Sequence, residues 1–172
     1  MTYIVFDAQG VSRSDNRYLH LFRQIAEWQR MFPGRFRFLN LETIAFAAQH
    51  DDVLDSTIKA RMEREMGEAD NMLVLVSPLQ DTESPVLNWQ ISRGVNRFHL
   101  PVVIAYAGLE KVEEGTIREC WNWLPRKFKK YITRYPWARM AHIPLTMDKL
   151  ERALKNYSAE RQKYPWDAET IF

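Results

Sequence analysis

The 172 residues carry 24 Lys and Arg against 22 Asp and Glu, with 46% apolar and 27% charged side chains. That balance describes one soluble domain with apolar mass enough for its own core, and a net charge of +2 is too small to argue for a nucleic-acid binder. The single cysteine, Cys120, excludes an internal disulfide framework and fits a reducing compartment. No run reaches the length of a membrane span. The first apolar run begins at Tyr3, leaving no room for a signal peptide, so a cytoplasmic location is expected.

In chain order, residues 3–6 read as a buried strand ending at Asp7-Ala8-Gln9-Gly10. Tyr18, Leu21, Phe22, Ile25, Trp28 and Phe32 form a helical stripe, with Ser14, Asp15 or Asn16 as N-cap and Pro33-Gly34 as its stop. Residues 36–41 alternate in part and read as a second strand. A looser stretch follows at 43–53. A helix from about residue 54 then places Leu54, Ile58, Met62 and Met66 at every fourth position, with Gly67 near its end. A strand at 72–76, a helix over 84–98 and a strand at 102–106 come next.

Beyond them lie an acidic stretch (Glu110, Glu113, Glu114, Glu119) and a basic, aromatic one over 126–139. Residues 138–145 fit a further strand, which Pro144 limits to an edge or a strand end. Residues 146–163 read as a closing helix. Such alternation predicts a three-layer α/β fold, with a mostly parallel sheet of about five strands and helices on both faces.

Several chemistries find no support. The turn after the first strand has one glycine and matches neither phosphate-binding fingerprint. The third strand ends in Ser77-Pro78, where a phospho-acceptor module needs an aspartate. The histidines at 20, 50, 99 and 142 have no metal-ligand spacing with Cys120, and no G-x-S-x-G elbow exists. No metal and no resident cofactor are expected.

Polar residues do gather where α/β sheets bind ligands, at the carboxyl ends of the strands. Ser77 ends the third strand, Ser84 opens the next helix, and Asn88, Trp89 and Gln90 follow, with Gln90 six positions beyond Ser84. This span, residues 70–106, resembles a TIR-like domain of bacterial Thoeris-type antiviral systems, and a looser resemblance extends from residue 1 to 108. The resemblance implies a flavodoxin-like (TIR-like) fold in which residues 1–172 form one domain and 109–172 a lineage-specific extension. It also implies an enzyme that breaks the bond between nicotinamide and ribose in NAD. Such an enzyme makes an ADP-ribose-derived signal, cyclic or conjugated, for a downstream effector.

In that family a glutamate occupies the place of Gln90, and Phe6, Asp7, Ser77, Ser84, Asn88 and Trp89 would form the substrate shell. The leaving nicotinamide departs as a neutral ring, so the barrier lies in the oxocarbenium-like ribose, which a carboxylate stabilises. An amide keeps the shape and loses the charge. At ~4 Å and an effective dielectric near 20 that loss is about 4 kcal/mol, or roughly a thousandfold in rate. Either the chain is a naturally quiet family member or Gln90 replaces a native glutamate; the otherwise intact pattern favours the second, and Gln90→Glu should then raise turnover.

Each residue also has a plain reading. Ser77 satisfies backbone groups at a strand end, Ser84 is an N-cap, and Trp89 belongs to the core. Two other functions stay open: a nucleoside deoxyribosyltransferase-like enzyme, separable by substrate, and a silent TIR-like interaction or nucleotide-binding module working by self-association. The basic, aromatic stretch fits a solvated helix face or a subunit interface better than nucleic acid. The apolar ending, Tyr164-Pro165-Trp166 and Ile171-Phe172, is expected to dock on this domain or a neighbour.

Overall fold

Five strands, β1 (Thr2–Val5), β2 (Asn71–Val76), β3 (Val102–Tyr106), β4 (Met140–Pro144) and β5 (Glu169–Ile171), lie side by side in that order, each neighbouring pair parallel. This computed structural model describes residues 1–7, 19–47, 56–78, 82–134, 140–158 and 169–171. Every side chain of β1 to β4 is buried, which is why these strands are largely apolar and do not alternate, with Thr2, Asn71 and His142 as their buried polar members. A parallel sheet covered on both faces requires this.

Parallel neighbours need long crossovers, and helices supply them. Helices α1 (Leu19–Met31), α2 (Leu41–Ala47) and α3 (Ser56–Gly67) connect β1 to β2, and α4 (Pro85–Asn96) connects β2 to β3. Helices α5 (Glu114–Glu119) and α6 (Arg126–Arg134), with a 3-10 turn at Trp121–Trp123 between them, lead to β4, and α7 (Met147–Asn156) follows it. Glu63 of α3 pairs with Arg93 and Arg97 at the end of α4 at 3.2 and 2.8 Å. Arg35, just after α1, pairs with Asp148 and Glu151 of α7. Arg35 and Lys155 hold the Glu151 carboxyl down to about 2. These contacts join α3 to α4 and the end of α1 to α7.

The expected second strand at 36–41 shrinks to a single parallel bridge, Thr2 to Phe38. Phe36 and Phe38 stack at 5.8 Å and turn into the core, but at Asn40 the ladder stops. The asparagine side chain takes over the backbone groups of β1, and the chain enters α2 one residue later. The chain therefore runs from β1 out to the Phe38 side and returns to build β2 on the opposite side of β1. That reversal makes the gap between the carboxyl ends of β1 and β2 the topological switch point of the sheet.

Pro144 does stand at a strand end, yet β4 is internal, between β3 and β5. The missing proline N–H costs little there: the next residue, Leu145, still donates to the Tyr106 carbonyl of β3 at 2.9 Å, and on the β5 side the register ends at His142. Strand β5, three residues long, had no recognisable pattern of its own. The closing helix expected over 146–163 is shorter, ending at Asn156 with Tyr157 as its cap. The N-cap proposed at 14–16, the polar group 49–52, residues 135–139 of the basic stretch, and the terminal Tyr164-Pro165-Trp166 and Phe172 lie outside the described residues. Among the described residues no helix is long and apolar enough to cross a membrane.

One buried group makes the sheet sensitive to acid. His142 in β4 is inaccessible to solvent, stacks on Tyr106 of β3 at 5.9 Å, and shares a 2.9 Å hydrogen bond between its Nδ1 and the Tyr106 hydroxyl. Burial lowers its pKa from 6.5 to about 4. A base harder to protonate in the folded state stabilises fully above its unfolded pKa of about 6.5. That stabilisation is lost as pH falls from there through about 4. The shift corresponds to about 3 kcal/mol at most. Urea titrations at pH 7 and pH 4 are expected to show this loss, and His142→Phe should flatten that segment of the profile.

Candidate active site

The edge of β1 that faces away from β2 has no full strand beside it, so its polar groups need other partners. Thr2 is served by backbone: its N–H donates to the Arg37 carbonyl at 2.8 Å and its carbonyl accepts from the Leu39 N–H at 3.0 Å. Ile4 is served by the Asn40 side chain, whose Oδ1 accepts from the Ile4 N–H at 2.9 Å while Nδ2 donates to the Ile4 carbonyl at 2.6 Å. Phe6 is served by Gln90, reaching over from α4. Its Nε2 donates to the Phe6 carbonyl at 2.6 Å, and its Oε1 accepts from the Phe6 N–H at 3.4 Å. Two carboxamides thus imitate a neighbouring strand, each presenting one donor and one acceptor as a peptide group does.

Gln90 does more than this. Its Oε1 also accepts a 2.8 Å bond from the Tyr3 hydroxyl, and Nε2 lies 3.4 Å from the Val86 carbonyl. Both polar atoms are engaged, and the residue is wholly buried. Burial, and secondarily the charge of Glu65, raise the Tyr3 phenol well above its ordinary value, so it remains a neutral donor. The Glu65 carboxylate accepts from the Thr43 hydroxyl at 2.7 Å and Arg61 Nε at 3.1 Å.

These surroundings bear on the site expected at position 90. Gln90 lies at the predicted end of the sheet, but its amide faces inward, to Phe6 and Tyr3. A carboxylate could not donate to the Phe6 carbonyl. As glutamine, position 90 uses its amide as both donor and acceptor.

The Phe6 clasp fixes the backbone where β1 ends. Val5 pairs in register with Val74, so Asp7, two residues past β1, and Ser77, directly after β2, lie at the carboxyl ends of two adjacent parallel strands, on either side of the switch point. Both are buried, Asp7 3% exposed and Ser77 7%. Asp7 and Glu65 are the buried carboxylates among the described residues, and Asp7 alone of the two follows a strand's carboxyl end. Close by, Gly108 leaves β3 with φ +80°, a left-handed turn suited to glycine.

Successive helix residues diverge by about 100°, so residues 88, 89 and 90 of α4 cannot share one target. With Gln90 on β1, Asn88 turns the other way. Its Nδ2 donates to the Thr82 and Ser84 carbonyls at 3.1 and 2.9 Å, and its Oδ1 accepts from the Lys127 N–H at 2.9 Å. Trp89 is half-buried, with the Arg93 guanidinium 6.0 Å from its ring centre. Ser84 caps α4, its hydroxyl accepting from the Leu87 N–H at 3.3 Å. The structure therefore gathers Phe6, Asp7, Ser77 and Gln90 at the strand ends, directs Asn88 to the start of α6, and leaves Trp89 half-buried beside Arg93 of its own helix.

Sequence reasoning passed over Tyr3 and Asn40, which complete the clasp. An asparagine inside the run Phe38-Leu39-Asn40-Leu41 was the available signal for the second. Replacing it with an apolar isostere, Asn40→Leu, should cost about 2 kcal/mol by chemical denaturation, since Ile4 is left with buried, unpaired groups.

A family model described as Thoeris protein ThsB, TIR-like domain, matches residues 3–111. The chain belongs to that family. The matched region takes in β1, the Asn40 and Gln90 clasps, Asp7, Ser77 and the whole of α4 and β3. Strands β4 and β5 follow the match and complete the same sheet. Membership in the ThsB family is consistent with NAD-related antiviral signalling. No curated protein matches the chain. Among the described residues no group of three His, Cys, Asp or Glu could hold a metal ion.

Proposed function

We propose that this ThsB-family chain cleaves NAD at the bond between nicotinamide and ribose and makes an ADP-ribose-derived product, cyclic or conjugated, as an antiphage signal read by a downstream effector. The single observation that carries the reading is Asp7, a buried carboxylate two residues past β1 at the switch point of a ThsB-family sheet. Asp7 supplies the negative charge that the developing ribose cation needs. Ser77 and the Phe6 ring complete the floor, Ser84 fixes the start of α4, and Asn88 and Trp89 brace that helix. Gln90 acts through Phe6 as a positioning residue.

A second reading has its own support. Position 90 of α4 carries an amide in place of a carboxylate, and both of its polar atoms are occupied, which suits a silent nucleotide-binding or self-associating module. Incubating the protein with NAD and following nicotinamide and ADP-ribose products by mass spectrometry separates the two. Release of nicotinamide supports the enzyme. Binding of NAD by calorimetry without turnover supports the silent module, and turnover of deoxynucleosides in place of NAD overturns both.

A further inference from the structure

Helix α6 has two unlike faces. Phe128 and Tyr131 are buried, while Arg126, Lys129, Lys130 and Thr133, spaced three, four and seven positions from the first, share the outer side. Those four residues and Trp121 of the preceding 3-10 turn line an open recess of about 370 Å³. Of the described lining residues three are cations and none is an acid. A charged outer stripe alone is an ordinary solvated helix face. The difference here is Trp121, which packs on the core, is only partly buried, and lines the recess together with the cations. Solvation of a lysine stripe requires no indole, whereas a planar aromatic ligand bearing negative charge uses both.

The recess is anchored at one end. The Arg126 N–H donates to the Thr82 carbonyl at 3.2 Å, and the Lys127 N–H to Asn88. The amino end of α6 is thereby held against the segment that enters α4. The Thr133 hydroxyl is turned to its own helix, donating to the Lys129 and Lys130 carbonyls at 2.9 and 3.3 Å, so recognition falls to Trp121 and the three cations. Glu83 stands 3.8 Å from Arg126, with both side chains well exposed, a pair weak enough for an incoming anion to replace.

We infer that the Trp121–Arg126–Lys129–Lys130 recess is a binding site for a free nucleotide, its base stacked on Trp121 and its phosphates on the α6 cations. A recess of this volume, with one indole and three cations, has room for a single nucleotide. Asp7 is not among the residues that line the recess, and the inference does not depend on NAD cleavage.

The test uses ADP as probe, with calorimetry for affinity and the indole N–H resonance of Trp121, assigned from its absence in Trp121→Phe, for location. ADP is expected to shift that resonance. Trp121→Ala should weaken binding at the recess by roughly five- to a hundredfold, and Lys129→Glu/Lys130→Glu by at least about tenfold. Adenosine and inorganic pyrophosphate, each carrying half of the recognition, should bind less tightly than ADP, and Asp7→Asn should leave the Trp121 shift intact. Circular dichroism checks that these surface variants fold. An unmoved Trp121 resonance, or ADP affinity indifferent to both variants, overturns the site. So does tight, length-dependent binding of oligothymidylate without binding of ADP, which would assign the recess to single-stranded nucleic acid.

Discussion

Gln90→Glu is expected to lower stability by about 3 kcal/mol and to leave nicotinamide release no higher than in the starting protein. The side chain is sealed between α4 and β1, where its Nε2 donates to the Phe6 carbonyl at 2.6 Å. A carboxylate of the same shape turns that contact into a repulsion between two acceptors. It either stays charged without solvent or takes up a proton at a free-energy cost. For a domain of this size the loss corresponds to a melting temperature lower by roughly 6 to 12 °C. Differential scanning fluorimetry reads the first effect and a nicotinamide assay the second. A variant that melts normally and turns NAD over faster would overturn the positioning role and restore position 90 as the catalytic one. Gln90→Leu should also destabilise, because the Tyr3 hydroxyl loses its acceptor and Phe6 its partner.

Asp7→Asn is expected to reduce NAD turnover roughly a thousandfold while the protein still folds and binds nucleotide. A unit charge ~4 Å from the developing ribose cation, at an effective dielectric near 20, contributes about 4 kcal/mol, and each ~1.4 kcal/mol is tenfold in rate. The amide keeps the volume and much of the hydrogen bonding of Asp7, so the loss should fall on kcat and leave KM within a few-fold. Equal turnover by the two proteins would remove Asp7 from the chemistry. A rise in KM with kcat unchanged would make it a binding contact only. The pair Gln90→Glu and Asp7→Asn also separates structure from charge, since the first is expected to move the melting temperature and the second the rate.

Much of the architecture was readable from the chain. Residues 72–76 and 102–106 are apolar runs of strand length flanking an amphipathic segment, and they appear as β2 and β3 around α4. A strand buried on both faces announces itself locally, because each residue must be apolar whatever its neighbours do. Ser84 as the cap of α4 followed from the same local logic. The parallel order and the position of the switch point followed from the alternation of strands and helices once Phe38 was placed beside Thr2.

The direction of individual side chains was not readable. Serine, asparagine and glutamine in the span 84–90 looked like one constellation because they are close in sequence. A helix separates them, sending Asn88 to Lys127 and Gln90 to Phe6. Nor did the run at 36–41 reveal that Asn40 would end its ladder, since an asparagine in an apolar run looks the same whether it faces solvent or a strand edge. By itself the chain determined its layers, its apolar strands and the family resemblance, all consequences of local pattern. Only the tertiary structure decided that an amide at position 90 belongs to the edge of β1. The reason is physical: the unpaired N–H and carbonyl of Phe6 exist only once β1 takes an outer place in the sheet, and their demand for one donor and one acceptor is met by a segment more than eighty residues away.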